Sequence, residues 1–164
     1  MTDKGEERLL EAKRLMAEKQ YTRAGELLEK LEKAHTNHPL IQFYLGSVYD
    51  ALGREREAIS YYQGALKNKI TGVHREEAFI QLGSSLRAIG EYHEAKNVLL
   101  TGLKEFPENR ALQLFLAMTL YHLGEHKEAV AMLLKIAVAI NDDPWIGKYA
   151  KAISFYADHL DQTW

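Results

Sequence analysis

Histidine has the widest chemical reach of the side chains in this sequence: seven are present in a chain that has no cysteine. His122 and His126 have the i, i+4 spacing that would set two imidazoles on one face of a helix, a pattern used to ligate metals. Gly124 lies between them and interrupts a helix there, so the pair is not expected to chelate. His35 and His38 flank a loop among ordinary surface carboxylates and read as solvated side chains. The lack of cysteine removes disulfides, thiolate nucleophiles and Cys-based zinc sites. No glycine-rich phosphate loop, serine-nucleophile motif or His-Glu-x-x-His zinc helix occurs. No catalytic, cofactor-binding or metal-ligating residue is therefore assigned, no cofactor is expected, and the chain is read as a non-enzyme.

Composition narrows the partners. Against 23 Asp+Glu stand 21 Lys+Arg, a formal charge of -2. That balance lacks the single-sign excess that drives binding to phosphate backbones or anionic lipid, so neither nucleic acid nor a membrane is an expected partner. Residues 1–10 lack the apolar core of a secretory signal, and the longest apolar stretch, 129–140, is interrupted by Lys135. It falls short of the roughly 20 residues that cross a bilayer. A cytoplasmic protein is the expectation. The charged segment 6–33 mixes both signs at helical spacings and reads as solvated helix faces.

The elements that position these side chains repeat. Ala24, Ala58, Ala95 and Ala129 recur along the chain, the last three preceded by glutamate. Gly53, Gly90 and Gly124 each stand five residues before an alanine of that set, and Leu45-Gly46, Leu82-Gly83 and Leu116-Ala117 lie at a fixed offset before those glycines. Within the second unit, Ile41, Leu45, Val48, Tyr49 and Leu52 share one helical face. Gly53 ends that helix, and Ala58, Ile59, Tyr62, Ala65 and Leu66 form the stripe of a second. Pro39, Pro107 and Pro144 all fall between units, and Asp142-Asp143-Pro144 reads as an N-cap followed by proline in the first turn. No sustained period-two alternation competes. The fold class is all-α, with helix-turn-helix units at about 5–38, 39–72, 73–109 and 110–143 and a capping helix at about 144–161, all in one domain spanning 1–164. The extra length in the second spacing, from Ala58 to Ala95, predicts a longer loop near 69–72.

These residues resemble the tetratricopeptide repeat family, whose units combine a Leu-Gly pair, a turn glycine, a central alanine in the second helix and a terminal proline. The resemblance is strongest in the third unit, through Phe79, Leu82, Gly83, Leu86, Gly90, Tyr92, Ala95 and Pro107. The first unit departs, with Glu11-Ala12 for Leu-Gly and Lys19 for the turn glycine. As a small stand-alone array the chain is also similar to single-domain bacterial members. The resemblance implies a right-handed superhelical α-solenoid whose concave side, lined by the first helix of each unit, binds another protein or peptide.

In that frame the groove is lined by Leu9, Lys13 and Met16 in the first unit and by Phe43, Ser47 and Asp50 in the second. Ile80, Ser84 and Arg87 follow in the third, then Leu114, Met118, Tyr121 and His122 in the fourth. The mixture suits a segment with apolar anchors. Family members that grip acidic chaperone tails use a basic clamp, whereas the matching Leu9, Lys13, Tyr44, Glu77 and Gln81 include one cation, which disfavours that role. A second expectation is a homodimer. The apolar excess of 129–140, with Val138, Trp145, Phe155 and Tyr156, and Trp164 nearby, offers more surface than one capping helix covers.

Overall fold

The computed structural model describes residues 3–163; Met1, Thr2 and Trp164 lie outside them. Among the described residues there are nine α-helices and no strand: α1 (Asp3–Ala17), α2 (Tyr21–Ala34), α3 (Pro39–Ala51), α4 (Glu55–Lys67), α5 (Val73–Ala88), α6 (Tyr92–Glu105), α7 (Arg110–His122), α8 (His126–Ala139) and α9 (Pro144–Ala157). No described helix is long and apolar enough to cross a membrane. The chain divides into two compact units, Met1–Glu91 and Tyr92–Trp164.

In the N-terminal unit, α3 stops where Gly53 enters the left-handed region at φ 69°. The Arg54 amide then donates to the Tyr49 carbonyl at 2.9 Å, closing a Schellman turn that reverses the chain into α4. The first repeat makes the same turn without glycine. Lys19 holds φ 58°, and the Gln20 amide reaches the Leu15 carbonyl at 2.8 Å. A lysine in this conformation is strained by about 1 kcal/mol, so the terminal repeat keeps the geometry and gives up part of its stability.

Small residues stand where helices touch. A Cβ on Gly46 would lie 2.7 Å from the ring of Tyr62, which is fully buried between α3 and α4. Ile41, Leu45, Val48, Ala58 and Leu86 complete that core. The extra length in the second spacing, from Ala58 to Ala95, goes mainly into a helix. The connection 68–72 has five residues against four at 35–38, while α5 has 16 residues against 13 in α3. Its additional first turn, which includes His74, leaves Gly72 at φ 64° and continues in good helical geometry.

In the C-terminal unit, Leu99, Leu112, Leu116 and Leu120 form the core. Asn109 caps α7 by accepting from the Leu112 amide at 2.8 Å, and Asp143 caps α9 by accepting from the Trp145 and Ile146 amides, each cap contributing about 1 kcal/mol. Packing thins toward the end. Helix α8 fully buries Ala129 and Ile136, and α9, which packs on α8, fully buries Ala157.

Candidate functional site

In the N-terminal unit, α1, α3 and α5 present the residues assigned to the binding face. Leu9 and Phe43 are buried and form its floor, Lys13 is exposed, and Met16, Ser47, Asp50, Ile80, Ser84 and Arg87 are half-buried. Phe43 is packed from three sides, against Tyr44 at 5.3 Å between ring centroids, Tyr62 at 6.0 Å and His74 at 4.8 Å. The Lys13 ammonium stands 5.6 Å from the Tyr44 ring centroid, a cation held on an aromatic face. His74 Nδ1 lies 3.0 Å from a Glu77 carboxylate oxygen, which can only accept, so this nitrogen carries the proton. In the neutral ring Nε2 then accepts from the Tyr44 hydroxyl at 3.3 Å. A hollow of about 430 Å3 opens between α1 and the start of α3, with Leu9, Lys13 and Leu40 among its walls.

Asp50 is the chemically distinctive member. Its carboxylate accepts from the Tyr62 hydroxyl at 3.0 Å and from the Ser85 hydroxyl at 2.9 Å. Burial pushes the Asp50 carboxyl above its ordinary value, a shift opposed by those two hydrogen bonds and assisted by Glu55. Burial likewise raises the Tyr62 phenol. The Ser47 hydroxyl is turned inward to the Phe43 carbonyl at 3.1 Å. Ser85, one residue beyond the assigned Ser84, is the serine that reaches Asp50. His74 was not assigned because it sits in the added turn of α5; Tyr44 and Glu77 occupy two of the clamp positions.

In the C-terminal unit the assigned residues of α7 are all exposed: Leu114, Met118 and Tyr121 at i, i+4 and i+7, then His122. The His122 ring stacks on Tyr92 at 4.5 Å, and its Nδ1–H donates to the Met118 carbonyl at 2.8 Å. Tyr121 lies 5.0 Å from the His126 ring. The histidine pair is thus separated by the turn 123–125 and engaged with tyrosines, and no metal-binding group of three His, Cys, Asp or Glu exists among the described residues. On α8 and α9, Val138 is half-buried and Trp145, Phe155 and Tyr156 are exposed; Trp164 lies outside the described residues.

Residues 39–160 match the sequence profile of the tetratrico peptide repeat family. Among solved structures, MamA (41-end) from Desulfovibrio magneticus RS-1 is similar with a TM-score of 0.74 at 21% identity, covering 98% of this chain and 88% of that one. YrrB, described as a TPR protein with an unusual peptide-binding site, gives 0.71 at 19% identity over 94% of this chain and 77% of its own. The Sgt2 TPR domain from Aspergillus fumigatus gives 0.67 at 20% identity, covering 76% and 82%. No curated protein matches the chain. These likenesses show the fold, an all-α solenoid of helical repeats, and the profile covers well over half the sequence: the chain belongs to the tetratricopeptide repeat family.

Proposed function

We propose that this protein binds an extended or helical segment of another polypeptide on the face presented by its first helices, with its four repeats serving as one binding domain. The observation that carries the reading is the stripe Leu114, Met118 and Tyr121 on α7. Its helix already buries Leu112, Leu116 and Leu120 on the opposite side, so the exposed apolar stripe has no part in the core. Tyr121 is 64% exposed, and such contiguous apolar surface marks an interaction site. The hollow beside Leu9 and Lys13 supports the same reading in the N-terminal unit, as does the peptide-binding site of YrrB.

The test compares capture of binding partners by the wild-type protein, by Met118→Arg and by Ser84→Arg. A partner held by the wild type and lost from both variants, with unchanged melting temperatures, supports the reading. A partner held equally by all three excludes this face.

A second reading, self-association through the C-terminal helices, is favoured by α9, which fully buries one residue and leaves Trp145, Tyr149, Phe155 and Tyr156 exposed. Light scattering that gives the 18.7 kDa monomer mass at tens of micromolar overturns it.

A further inference from the structure

A constant shift of seventy-one residues, from Ala24 to Ala95 and from Ala58 to Ala129, superposes the first two repeats on the last two in sequence. At matched positions the two units treat the furrow beside their second helices differently. In the N-terminal unit it is plugged. Gln42, 7% exposed, accepts from the Asn68 amide at 2.8 Å and donates to Glu32 at 3.2 Å, and Glu32 also holds the Asn37 backbone at 3.0 Å. Gly64 leaves room for the plug, since a Cβ there would lie 2.9 Å from the Gln42 amide oxygen. Tyr61 stacks beside it on Tyr49, 5.4 Å between centroids.

In the C-terminal unit the glutamine is kept as Gln113, but the groups that hold it in place are replaced. Leu103 stands for Glu32, Glu108 for Asn37, Ala139 for Asn68 and Met132 for Tyr61. Gln113, which matches Gln42, is instead held on the furrow wall, accepting from the Arg110 guanidinium at 2.9 Å and donating to the Pro107 carbonyl at 2.8 Å. What remains is an open furrow of about 740 Å3 with an apolar floor that includes Leu103, Met132, Ile136 and Ala139.

We propose that this furrow receives the Trp145 and Tyr149 side chains of a second copy of the chain, each copy giving its rings and taking its partner's. The proposal rests on the self-association reading above and names the socket. Trp145 is 65% exposed and Tyr149 51%, one turn apart at the start of α9. The furrow runs along α8 from Glu128 in its first turn to Ala139 in its last, and Trp145 follows Ala139 by six residues, so the rings stand beside one end of the socket. A two-fold axis beside that end satisfies both at once and closes the assembly at two copies.

Charge agrees with this occupant. The Lys148 ammonium stands 4.9 Å from the Trp145 ring centroid and 5.5 Å from that of Tyr149, so a cation travels with the rings. Both rim cations of the furrow are already held by their own chain, Arg110 by Glu108 and Lys135 by Asp158. The rim therefore offers an incoming lysine the exposed carboxylate of Glu128. Two partly exposed aromatic rings per chain, set against matching walls, bury on the order of 1,000 Å2 in a reciprocal pair, the lower limit for a specific interface.

The test is sedimentation equilibrium on the full chain. The wild type is expected at twice the 18.7 kDa chain mass. Met132→Tyr with Ala139→Asn, which refills the furrow with the residues of the N-terminal unit, is expected to weaken the dimer by about tenfold or more, as is Trp145→Ala. Glu128→Lys and Lys148→Glu each set like charges together at both contacts and are expected to dissociate. An equimolar mixture of those two variants restores opposite charges at both contacts and is expected to dimerise again, which separates lost docking from lost folding. A wild-type monomer overturns this proposal and the self-association reading together. A dimer indifferent to the furrow and charge variants overturns the furrow alone, leaving self-association through another part of α9. A mass that climbs past two copies replaces the reciprocal pair with head-to-tail chains and also overturns it.

Discussion

The Asp50 carboxylate on α3 accepts a hydrogen bond at 2.9 Å from the Ser85 hydroxyl on α5, tying the first helices of adjacent repeats across the assigned binding face. The Asp50 pKa is raised in the fold, chiefly by burial, so the folded state holds a proton that the unfolded chain has already released. Stability from this group is therefore full below the ordinary aspartate pKa and declines as pH rises through the raised value. Asp50→Asn keeps an acceptor for Ser85 and Tyr62 and is expected to remove that decline. Urea denaturation of both proteins across the mildly acidic range checks it: parallel stability profiles refute the assignment.

Tyr49 provides the alkaline counterpart. Its hydroxyl donates to Glu29 at 2.6 Å, and that hydrogen bond, followed by burial, pushes the phenol up to about 12. The bond contributes stability below the ordinary tyrosine pKa, and the contribution is lost as pH rises through about 12. Ultraviolet titration of the tyrosinates should show Tyr49 ionising late, in company with the buried Tyr62, and Glu29→Gln should bring the Tyr49 ring down while Tyr62 stays late.

Gly46→Ala is expected to destabilise the N-terminal unit by about 1 to 3 kcal/mol, because the added methyl meets a Tyr62 ring that is packed on all sides. Chemical denaturation measures it. Pairing the change with Tyr62→Leu should recover part of the loss relative to the sum of the two single changes.

Lys19→Gly is expected to stabilise the protein by about 0.5 to 1 kcal/mol, since glycine accepts φ 58° without the strain of a Cβ. Gly53→Ala, where nothing crowds a Cβ but φ is 69°, should destabilise by about 1 kcal/mol. Opposite signs in thermal melts at these two matched turns isolate backbone conformation from packing.

The repeat could be read from sequence because its signals are local and redundant. Leu45-Gly46, Gly53 and Ala58 each fix one step of a helical hairpin, and the same steps recur. Site detail was harder to read because it turns on single residues. Ser84 and Ser85 are adjacent, and only the direction each takes around α5 sends Ser85 to Asp50. Leu9 and Phe43 share a stripe with the exposed Lys13 and the half-buried Ser47, yet lie buried, Phe43 because Tyr44, Tyr62 and His74 close over it. The additional length before Glu76 suggested a loop, but His74, Arg75 and Glu76 continue α5 backward by a turn. The open furrow beside Met132 has no local signature; it shows only when each residue is set against its counterpart seventy-one positions earlier.

The thinning of the core toward α9 has a consequence for how the C-terminal unit opens. Its helices pack mainly on their sequence neighbours, α6 on α7, α7 on α8 and α8 on α9, so each contributes its stability to the next. With Ala157 its only fully buried side chain, α9 detaches at a smaller free energy than the helices behind it. Amide exchange should then run as a graded fraying, fastest in α9, slower in α8 and slowest in α7, while a docked second copy would hold the last helix closed and flatten the gradient.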